Sequence, residues 1–327
     1  MGTARPAGLS LTRVAATGAL VAATALTGCS GTDHDAGPEP SAPSSSEATG
    51  EATDEAAPPA DDSTPDPTAG VARPTTAAEA ARRLVAADRA ISHRTTPARE
   101  LVRAARQQQL AYRALGDHPE WDAAVLAAVP PSVRGVVRSN LEARRELRAM
   151  HVVLSDTLPA WRIVRPAPAE RLLRYYQRAE RAYGIEWEYL AAVNLVETGM
   201  GRIRGTSTAG ARGPMQFLPS TWARWGRGDI DDPADAIMAA ARYLAHDGGA
   251  RPGGLDAALY RYNNSRHYVR AITLLGQVME RRPRAFYGYY HWDVYYLTSR
   301  GDVRLPVGYD QDRPVPVTRW LAAHPQE

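Results

Sequence analysis

An apolar run that ends on a single carboxylate lies near the middle of the chain, at Leu190-Ala191-Ala192-Val193-Asn194-Leu195-Val196-Glu197. Read as a helix, this run places Glu197 on the same face as Val193 and Leu190. A carboxyl group among apolar side chains keeps its proton to a higher pH than usual, as a general acid near neutrality must. The negative end of the helix dipole acts in the same direction. A solvent-exposed Glu at a helix end is the ordinary alternative, and the residues that follow favour the sheltered acid.

A second segment, close behind the first, combines small residues with one amide in an apolar setting. It reads Ser207-Thr208-Ala209-Gly210-Ala211-Arg212-Gly213-Pro214-Met215-Gln216-Phe217-Leu218-Pro219-Ser220-Thr221-Trp222. Small residues allow the backbone to approach a ligand closely, and the Gln216 amide offers a donor and an acceptor together. Both properties suit the hydroxyl and acetamido groups of a sugar.

The same segment resembles the Ser-x-x-Gly-Ala-x-Gly-Leu-Met-Gln motif of the soluble lytic transglycosylases, with Pro214 in place of Leu. These are cell-wall enzymes with a fold like that of goose-type lysozyme. Glu197-Thr198 lies where the family has its catalytic Glu-Ser, and the segment 259–265, which contains Tyr262-Asn263, lies where it has Ala-Tyr-Asn-Ala-Gly. The motifs occur in the family's order, and the resemblance covers about residues 160–282.

The resemblance implies a peptidoglycan lytic transglycosylase in which Glu197 is the catalytic residue. Protonated Glu197 would donate to the β-1,4 oxygen between N-acetylmuramic acid and N-acetylglucosamine. Once ionised, it would take the proton of the muramyl 6-hydroxyl, which closes on C1 to give a 1,6-anhydro product. The implied substrate-binding residues are Thr198, Ser207, Met215, Gln216, Tyr262 and Asn263. Neither a metal nor a cofactor is expected.

Two alternatives remain open. A hydrolase needs a second carboxylate, about 6.5–9.5 Å away if it inverts and about 5 Å away if it retains the anomeric configuration. The candidates are Asp229, Asp231, Asp232 and Asp235. Helix capping explains Asp232 and Asp235, and the other two fall in a loop flanked by glycine, so the sequence favours a lyase over a muramidase. A lysozyme-like module that binds the wall without turnover is the other alternative, and Tyr262 also fits a core position, on one helical face with Leu259.

The amino terminus predicts export and lipid anchoring. Arg5 and Arg13 precede an apolar stretch over 14–26 that is too short to span a bilayer comfortably, which is the pattern of a signal peptide. The stretch ends at Leu26-Thr27-Gly28-Cys29, which resembles the lipobox of bacterial lipoproteins. We therefore expect a lipoprotein signal peptide at 1–28 and a lipidated Cys29 that holds the protein on the outer face of the cell membrane.

The charge is distributed unevenly along the chain. Residues 29–70 hold 10 of the 36 acidic residues and no Arg or Lys, and residues 29–75 are predicted to form a disordered acidic tether rich in Ser, Pro and Thr. Residues 71–327 carry 37 basic and 26 acidic residues, which suits an anionic wall polymer. The single Cys excludes a disulfide framework. The expected partners are peptidoglycan glycan strands and the membrane, with no nucleic acid, and the chain is expected to be a monomer.

The remaining pattern predicts a mainly α protein: a helical pack followed by a lysozyme-like α-helical catalytic domain with a short C-terminal β-hairpin. Helices are expected from Pro119 to Val129, from Pro131 to about Leu154, and over 169–182 with a stop at Gly184. The boundaries are 76–159 for the helical region, 160–285 for the transglycosylase domain and 286–327 for an aromatic extension. Two runs, 292–298 and 303–307, flank the predicted turn 299–302. The tyrosines and tryptophan of 287–296 are expected to form the core of this small sheet, with sugar stacking as the less favoured alternative.

Overall fold

The computed structural model describes residues 70–325. The predicted signal peptide, Cys29 and the tether up to residue 69 lie outside the described residues. Within 70–325 the fold consists of twelve α-helices and three two-stranded antiparallel sheets, which confirms the mainly α prediction. No helix in this range is both long and apolar enough to cross a bilayer.

The first four helices form the N-terminal pack. They are α1 (Ala77–Ser92), α2 (Ala98–Asp117), α3 (Asp122–Ala128) and α4 (Pro131–Ala149). Thr76 caps α1 by accepting the N–H of Glu79, whose own carboxylate accepts the N–H of Thr75. The helix predicted from Pro119 begins with a 3₁₀ turn, and the helix predicted to reach Leu154 ends at Ala149.

Six further helices contain or surround the apolar run that ends at Glu197. They are α5 (Ala169–Tyr183), α6 (Trp187–Thr198), α7 (Pro219–Trp225), α8 (Pro233–His246), α9 (Leu255–Tyr262) and α10 (Arg266–Arg281). The middle of α6 is fully buried on all sides, because α5, α8 and α10 pack around it. The helix is thus the axis of the largest core. Predicted boundaries hold at Gly184, which ends α5 in the left-handed conformation, and at Asp232, whose carboxylate accepts the N–H groups of Ala234 and Asp235.

The C-terminal part contains the predicted hairpin, with a tighter turn than expected. Strands β4 (Val294–Thr298) and β5 (Gly301–Leu305) pair in register from Val294 opposite Leu305 to Thr298 opposite Gly301. Only Ser299 and Arg300 separate the strands, and Gly301, the first residue of β5, has a φ of +95°, which glycine adopts at no steric cost. Two short helices that the sequence reasoning did not predict flank the hairpin, α11 (Ala285–Tyr290) and α12 (Val317–Ala323).

Short strands tie the C-terminal part to the middle of the chain. Strand β1 (Thr157–Leu158) pairs with β6 (Val315–Pro316), and β2 (Arg162–Ile163) pairs with β3 (Ile203–Arg204), which follows α6 closely. Together with the hairpin they enclose a second core around Trp161. Strands β1 and β6 therefore join the predicted helical region 76–159 to the predicted extension 286–327.

The aromatic residues of the C-terminal part lie mostly in these cores. Tyr289, Tyr295 and Tyr296 are buried, whereas Tyr287, Tyr290 and Trp292 are partly exposed. The Tyr289 hydroxyl donates to Asn140 Oδ1 at 2.6 Å, which ties α11 to α4. Tyr296 lies in the core of the small sheet, as predicted, whereas Tyr289 lies in the largest core and Tyr295 packs with Val71 and Leu110.

Candidate active site

Glu197 lies in the last turn of α6 and is sheltered from solvent. Only 2% of its surface is exposed. Its Oε1 accepts a hydrogen bond from the Tyr268 hydroxyl at 2.8 Å. Burial raises the pKa of Glu197 to about 8, and the hydrogen bond from Tyr268 opposes this rise without cancelling it. The carboxyl group is therefore protonated near neutral pH, as the apolar run of α6 predicts.

Tyr268 is held as a donor towards this carboxyl group. Burial, followed by the nearby Glu197, raises the pKa of Tyr268 well above 10, so its hydroxyl keeps its proton. The ring of Tyr262 stacks parallel to that of Tyr268, with 6.4 Å between the ring centroids. The Tyr262 hydroxyl donates to the Met215 carbonyl at 2.6 Å. A series of contacts thus runs from Glu197 through Tyr268 and Tyr262 to Met215, the residue before Gln216.

The turn that carries Gln216 is unusually tight. Gln216 has a φ of +50°, and its side-chain Nε2 donates to the Gly213 carbonyl at 3.0 Å. Gly213 has a φ of +76°, and a Cβ there would lie 2.0 Å from the Ile230 carbonyl oxygen. Only glycine therefore fits at position 213, because both the backbone conformation and the neighbouring backbone exclude a side chain. The strained Gln216 is buried within this turn.

The same turn is fastened to α6 through one carbonyl group. The Pro214 carbonyl accepts from the Thr198 hydroxyl at 2.6 Å and from Asn194 Nδ2 at 2.8 Å. The Asn194 amide is oriented in turn by the Tyr176 hydroxyl, which donates to its Oδ1 at 2.6 Å. These groups are buried, so each satisfied hydrogen bond also avoids a desolvation penalty. Thr198, predicted as a substrate contact, lies in the structure as an anchor for the turn.

The other predicted binding residues are also largely enclosed. The Ser207 hydroxyl accepts the Ala211 N–H at 3.0 Å and so shapes its own loop. The Met215 side chain is fully buried, and Asn263 is buried just after α9. Hydrogen bonds thus join Glu197 to Tyr268, Tyr262 to Met215 and Thr198 to the turn of Gln216. The stacked rings of Tyr262 and Tyr268 link the first two pairs. The Ser207 hydroxyl makes a local contact within its own loop.

The four aspartates considered as second catalytic groups have structural contacts. Asp232 caps α8, and Asp235 Oδ2 accepts the Asp229 N–H at 2.9 Å. Asp229 Oδ1 accepts the Asp231 N–H at 2.9 Å, and the Asp231 carboxylate forms an ion pair with Arg212. The pKa of Glu197 is set by burial and by Tyr268, with no contribution from an aspartate. Among residues 70–325, no group of three or more His, Cys, Asp and Glu side chains could hold a metal ion.

The sequence alone does not identify two residues that shape the site, Tyr268 and Arg202. Tyr268 shares the buried face of α10 with Ile272 and Leu275, a period that indicates burial but not a carboxyl partner. Arg202 is buried and donates to the Gly199 carbonyl at 2.9 Å and to the Tyr290 carbonyl at 2.5 Å. It thus joins the C-terminal ends of α6 and α11, where a cation also complements the helix dipoles. No local sequence signal identifies that long-range contact.

The comparisons with known proteins concern the same part of the chain. Residues 174–273, which contain Glu197, the Gln216 turn and Tyr268, match the family model of the transglycosylase SLT domain. This confirms the resemblance predicted from the motifs.

One curated relative is the membrane-bound lytic murein transglycosylase F of Thiobacillus denitrificans (strain ATCC 25259 / T1), which is 29% identical over 128 residues. The match covers 37% of this chain and 27% of the relative, so the chain spans only about a quarter of that protein's length. No solved structure matches the chain significantly.

Proposed function

We propose that the protein is a peptidoglycan lytic transglycosylase that cleaves the β-1,4 bond between N-acetylmuramic acid and N-acetylglucosamine. The observation that carries the proposal is the buried, proton-holding carboxyl group of Glu197 in the transglycosylase domain. An acid with a pKa of about 8 can donate its proton near neutrality and can take one back later in the same cycle.

In the first step, Glu197 transfers its proton to the glycosidic oxygen while the bond from that oxygen to the muramyl C1 breaks. The N-acetylglucosamine side leaves with a new hydroxyl group. In the second step, the ionised Glu197 takes the proton of the muramyl 6-hydroxyl, whose oxygen forms a bond to C1. The product ends in 1,6-anhydro-N-acetylmuramic acid, no water is consumed, and Glu197 regains its proton.

Tyr268 positions the acid in both steps. Its hydroxyl donates to Oε1 of Glu197, so it fixes the direction of the carboxyl group and stabilises the carboxylate that forms after the first proton transfer. The turn of Gln216 is anchored to the same helix by the bonds from Thr198 and Asn194 to the Pro214 carbonyl. We propose that Gln216, Ser207, Met215, Tyr262 and Asn263 bind or shape the sugar site. Thr198 acts mainly through its hold on the turn.

A lyase is favoured over a muramidase because the four candidate aspartates have structural contacts of their own. A retaining hydrolase would place a carboxylate about 5 Å from the acid, and the negative charge would raise the pKa of that acid further. Burial and Tyr268 account for the pKa of Glu197, and the aspartates 229, 231, 232 and 235 serve helix capping, loop hydrogen bonds and an ion pair.

Glu197→Gln tests the catalytic role. Glutamine keeps the size of the side chain and an oxygen to accept from Tyr268, but it has no acidic proton. We expect the release of soluble fragments from purified sacculi to fall by at least a hundredfold, with binding to sacculi retained. A wall-binding module without turnover would behave identically in both proteins, and equal activity of the two would refute the role of Glu197.

We also propose that the protein acts outside the cytoplasm, held by diacylated Cys29 at the end of an acidic tether. The cationic domain supports an anionic wall as the substrate. Cys29→Ala tests this anchor in a bacterial host that processes lipoproteins. The wild type is expected in the membrane fraction with acylated Cys29 as its first residue, and the variant is expected outside it. Equal membrane association of both proteins would refute the lipid anchor.

A further inference from the structure

A cavity of about 120 Å³ lies beside the catalytic helix but away from Glu197. It is enclosed by α2, α4, α6, α10 and strand β4. Much of its wall is apolar, formed by Ala143, Leu147, Leu195, Val196, Leu275 and Leu297. Its lining includes Leu195 and Val196 of α6 but not Glu197, Tyr268 or Gln216. The cavity is therefore separate from the proposed sugar site.

Arginine side chains form the polar part of the same cavity. Arg113, Arg144 and Arg148 line it, and Arg148 is exposed to solvent, which indicates an entrance on that side. Only 8% of the Arg113 side chain is exposed. Arg113 and Arg144 both form ion pairs with the Asp302 carboxylate, the second at 2.6 Å. The Nε atoms of Arg113 and Arg144 are buried without a hydrogen-bond partner.

The carboxylates at the cavity do not balance these cations. Asp302 is shared by two guanidinium groups, and the other lining carboxylate, Asp293, accepts from Arg106 at 2.6 Å and contacts Arg304 at 3.0 Å. Burial, followed by the repulsion from Arg144, lowers the pKa of Arg113 to about 10. The excess of positive charge lies on the partly exposed Arg144 and the exposed Arg148, and an anion bound beside the arginines would offset it.

The size of the cavity limits the rest of the ligand. A dry apolar cavity of about 150 Å³ binds benzene, so this cavity of about 120 Å³ holds only a smaller apolar group. From the apolar wall, the volume and the arginines, we propose that this cavity binds a small amphipathic anion, with one carboxylate or phosphate group on an apolar body smaller than a benzene ring. The anionic group meets Arg113, Arg144 and Arg148, and the apolar body lies against Leu195, Val196 and Leu275.

The test measures binding to the purified full chain by calorimetry and by the shift in melting temperature. The probes are butyrate and propyl phosphate, compared with neutral 1-butanol. We expect saturable binding of at least one anion, at least tenfold tighter than that of 1-butanol. The stronger of the two anions identifies the preferred head group, carboxylate or phosphate.

Matched variants locate the site. Arg144→Met is expected to weaken anion binding at least tenfold, whereas Arg138→Met, at an exposed arginine on the same helix, is expected to leave it unchanged. Ala143→Leu fills the cavity while it keeps every charge, and it is expected to abolish binding. The absence of saturable anion binding, equal affinity for 1-butanol, or equal binding by the Arg144 and Arg138 variants would each overturn the proposal. None of these outcomes depends on transglycosylase activity.

Discussion

Replacing the sheltered acid is expected to stabilise the fold in a pH-dependent way. In Glu197→Gln the side chain keeps its size and its acceptor for Tyr268, so the principal loss is the ability to ionise. The wild-type carboxyl group has a pKa of about 8 in the folded chain and close to 4.5 when it is solvated. Below pH 4.5 both states carry the proton, and ionisation makes no difference to stability.

The magnitude follows from proton linkage. Between pH 4.5 and about 8, the unfolded chain loses the proton while the folded chain keeps it, so the unfolded state binds fewer protons and the wild type loses stability as the pH rises. The loss is about 1.4 kcal/mol for each pH unit in this window, or about 5 kcal/mol over its full width. Above pH 8 the difference is constant. Because glutamine cannot ionise, the Glu197→Gln variant does not lose stability in this way.

The assay is urea unfolding of both proteins, followed by tryptophan fluorescence, at pH values from 4 to 9. The free energy of unfolding of Glu197→Gln minus that of the wild type is expected to increase by about 5 kcal/mol over this range. Any fixed effect of the amide on packing cancels, because only the change with pH is compared. Glu186→Gln, at an exposed residue before the same helix, controls for the loss of one negative charge. A difference that stays constant within about 1 kcal/mol would refute the buried, protonated acid.

Three further substitutions test the groups around the acid. Tyr268→Phe removes the hydrogen bond that lowers the pKa of Glu197, so the basic limb of the activity profile is expected to move to higher pH, as a pH series of kcat/KM measures. Thr198→Val removes the hydroxyl that holds the Pro214 carbonyl and is expected to lower the free energy of urea unfolding by about 1–2 kcal/mol. Arg202→Met breaks the link between the C-terminal ends of α6 and α11 and is expected to lower the free energy of urea unfolding by about 2–4 kcal/mol. A lower kcat on sacculi is expected as well.

Conservative variants separate these effects from general damage. Tyr262→Phe, which loses a bond to the Met215 carbonyl and not to Glu197, is expected to leave the basic limb in place. Thr198→Ser keeps the hydroxyl and is expected to retain most of the stability lost in the valine variant. An unmoved basic limb in the Tyr268 variant, or equal losses in the serine and valine variants at 198, would contradict the assigned contacts.

Local chemistry accounts for what the sequence predicted well. The apolar period of α6, the cap at Asp232 and the left-handed stop at Gly184 depend on neighbouring residues, and each lies where it was predicted. The shelter of Glu197 follows from the same apolar run, because a helix that is apolar on every side must be buried. The hairpin was found from its alternating pattern, and only its turn was placed too long.

Long-range pairing accounts for what the sequence did not predict. The strands at 157–158 and 315–316 are two residues each, too short to give a periodic signal, and their partners are far apart in the chain. The contact of Tyr268 with Glu197 depends on how α10 packs against α6. The hydrogen bond of the Thr198 hydroxyl was not predicted for the same reason, since it meets a carbonyl that only the folded turn brings near.

The most direct test of the central claim is the mass of the muropeptides that the purified protein releases from sacculi. If Glu197 serves first as acid and then as base towards the muramyl 6-hydroxyl, the released chains end in anhydro-N-acetylmuramic acid and are lighter by one water than chains with a reducing end. Products with reducing ends, released by the wild type and absent with Glu197→Gln, would show a hydrolase and contradict the mechanism.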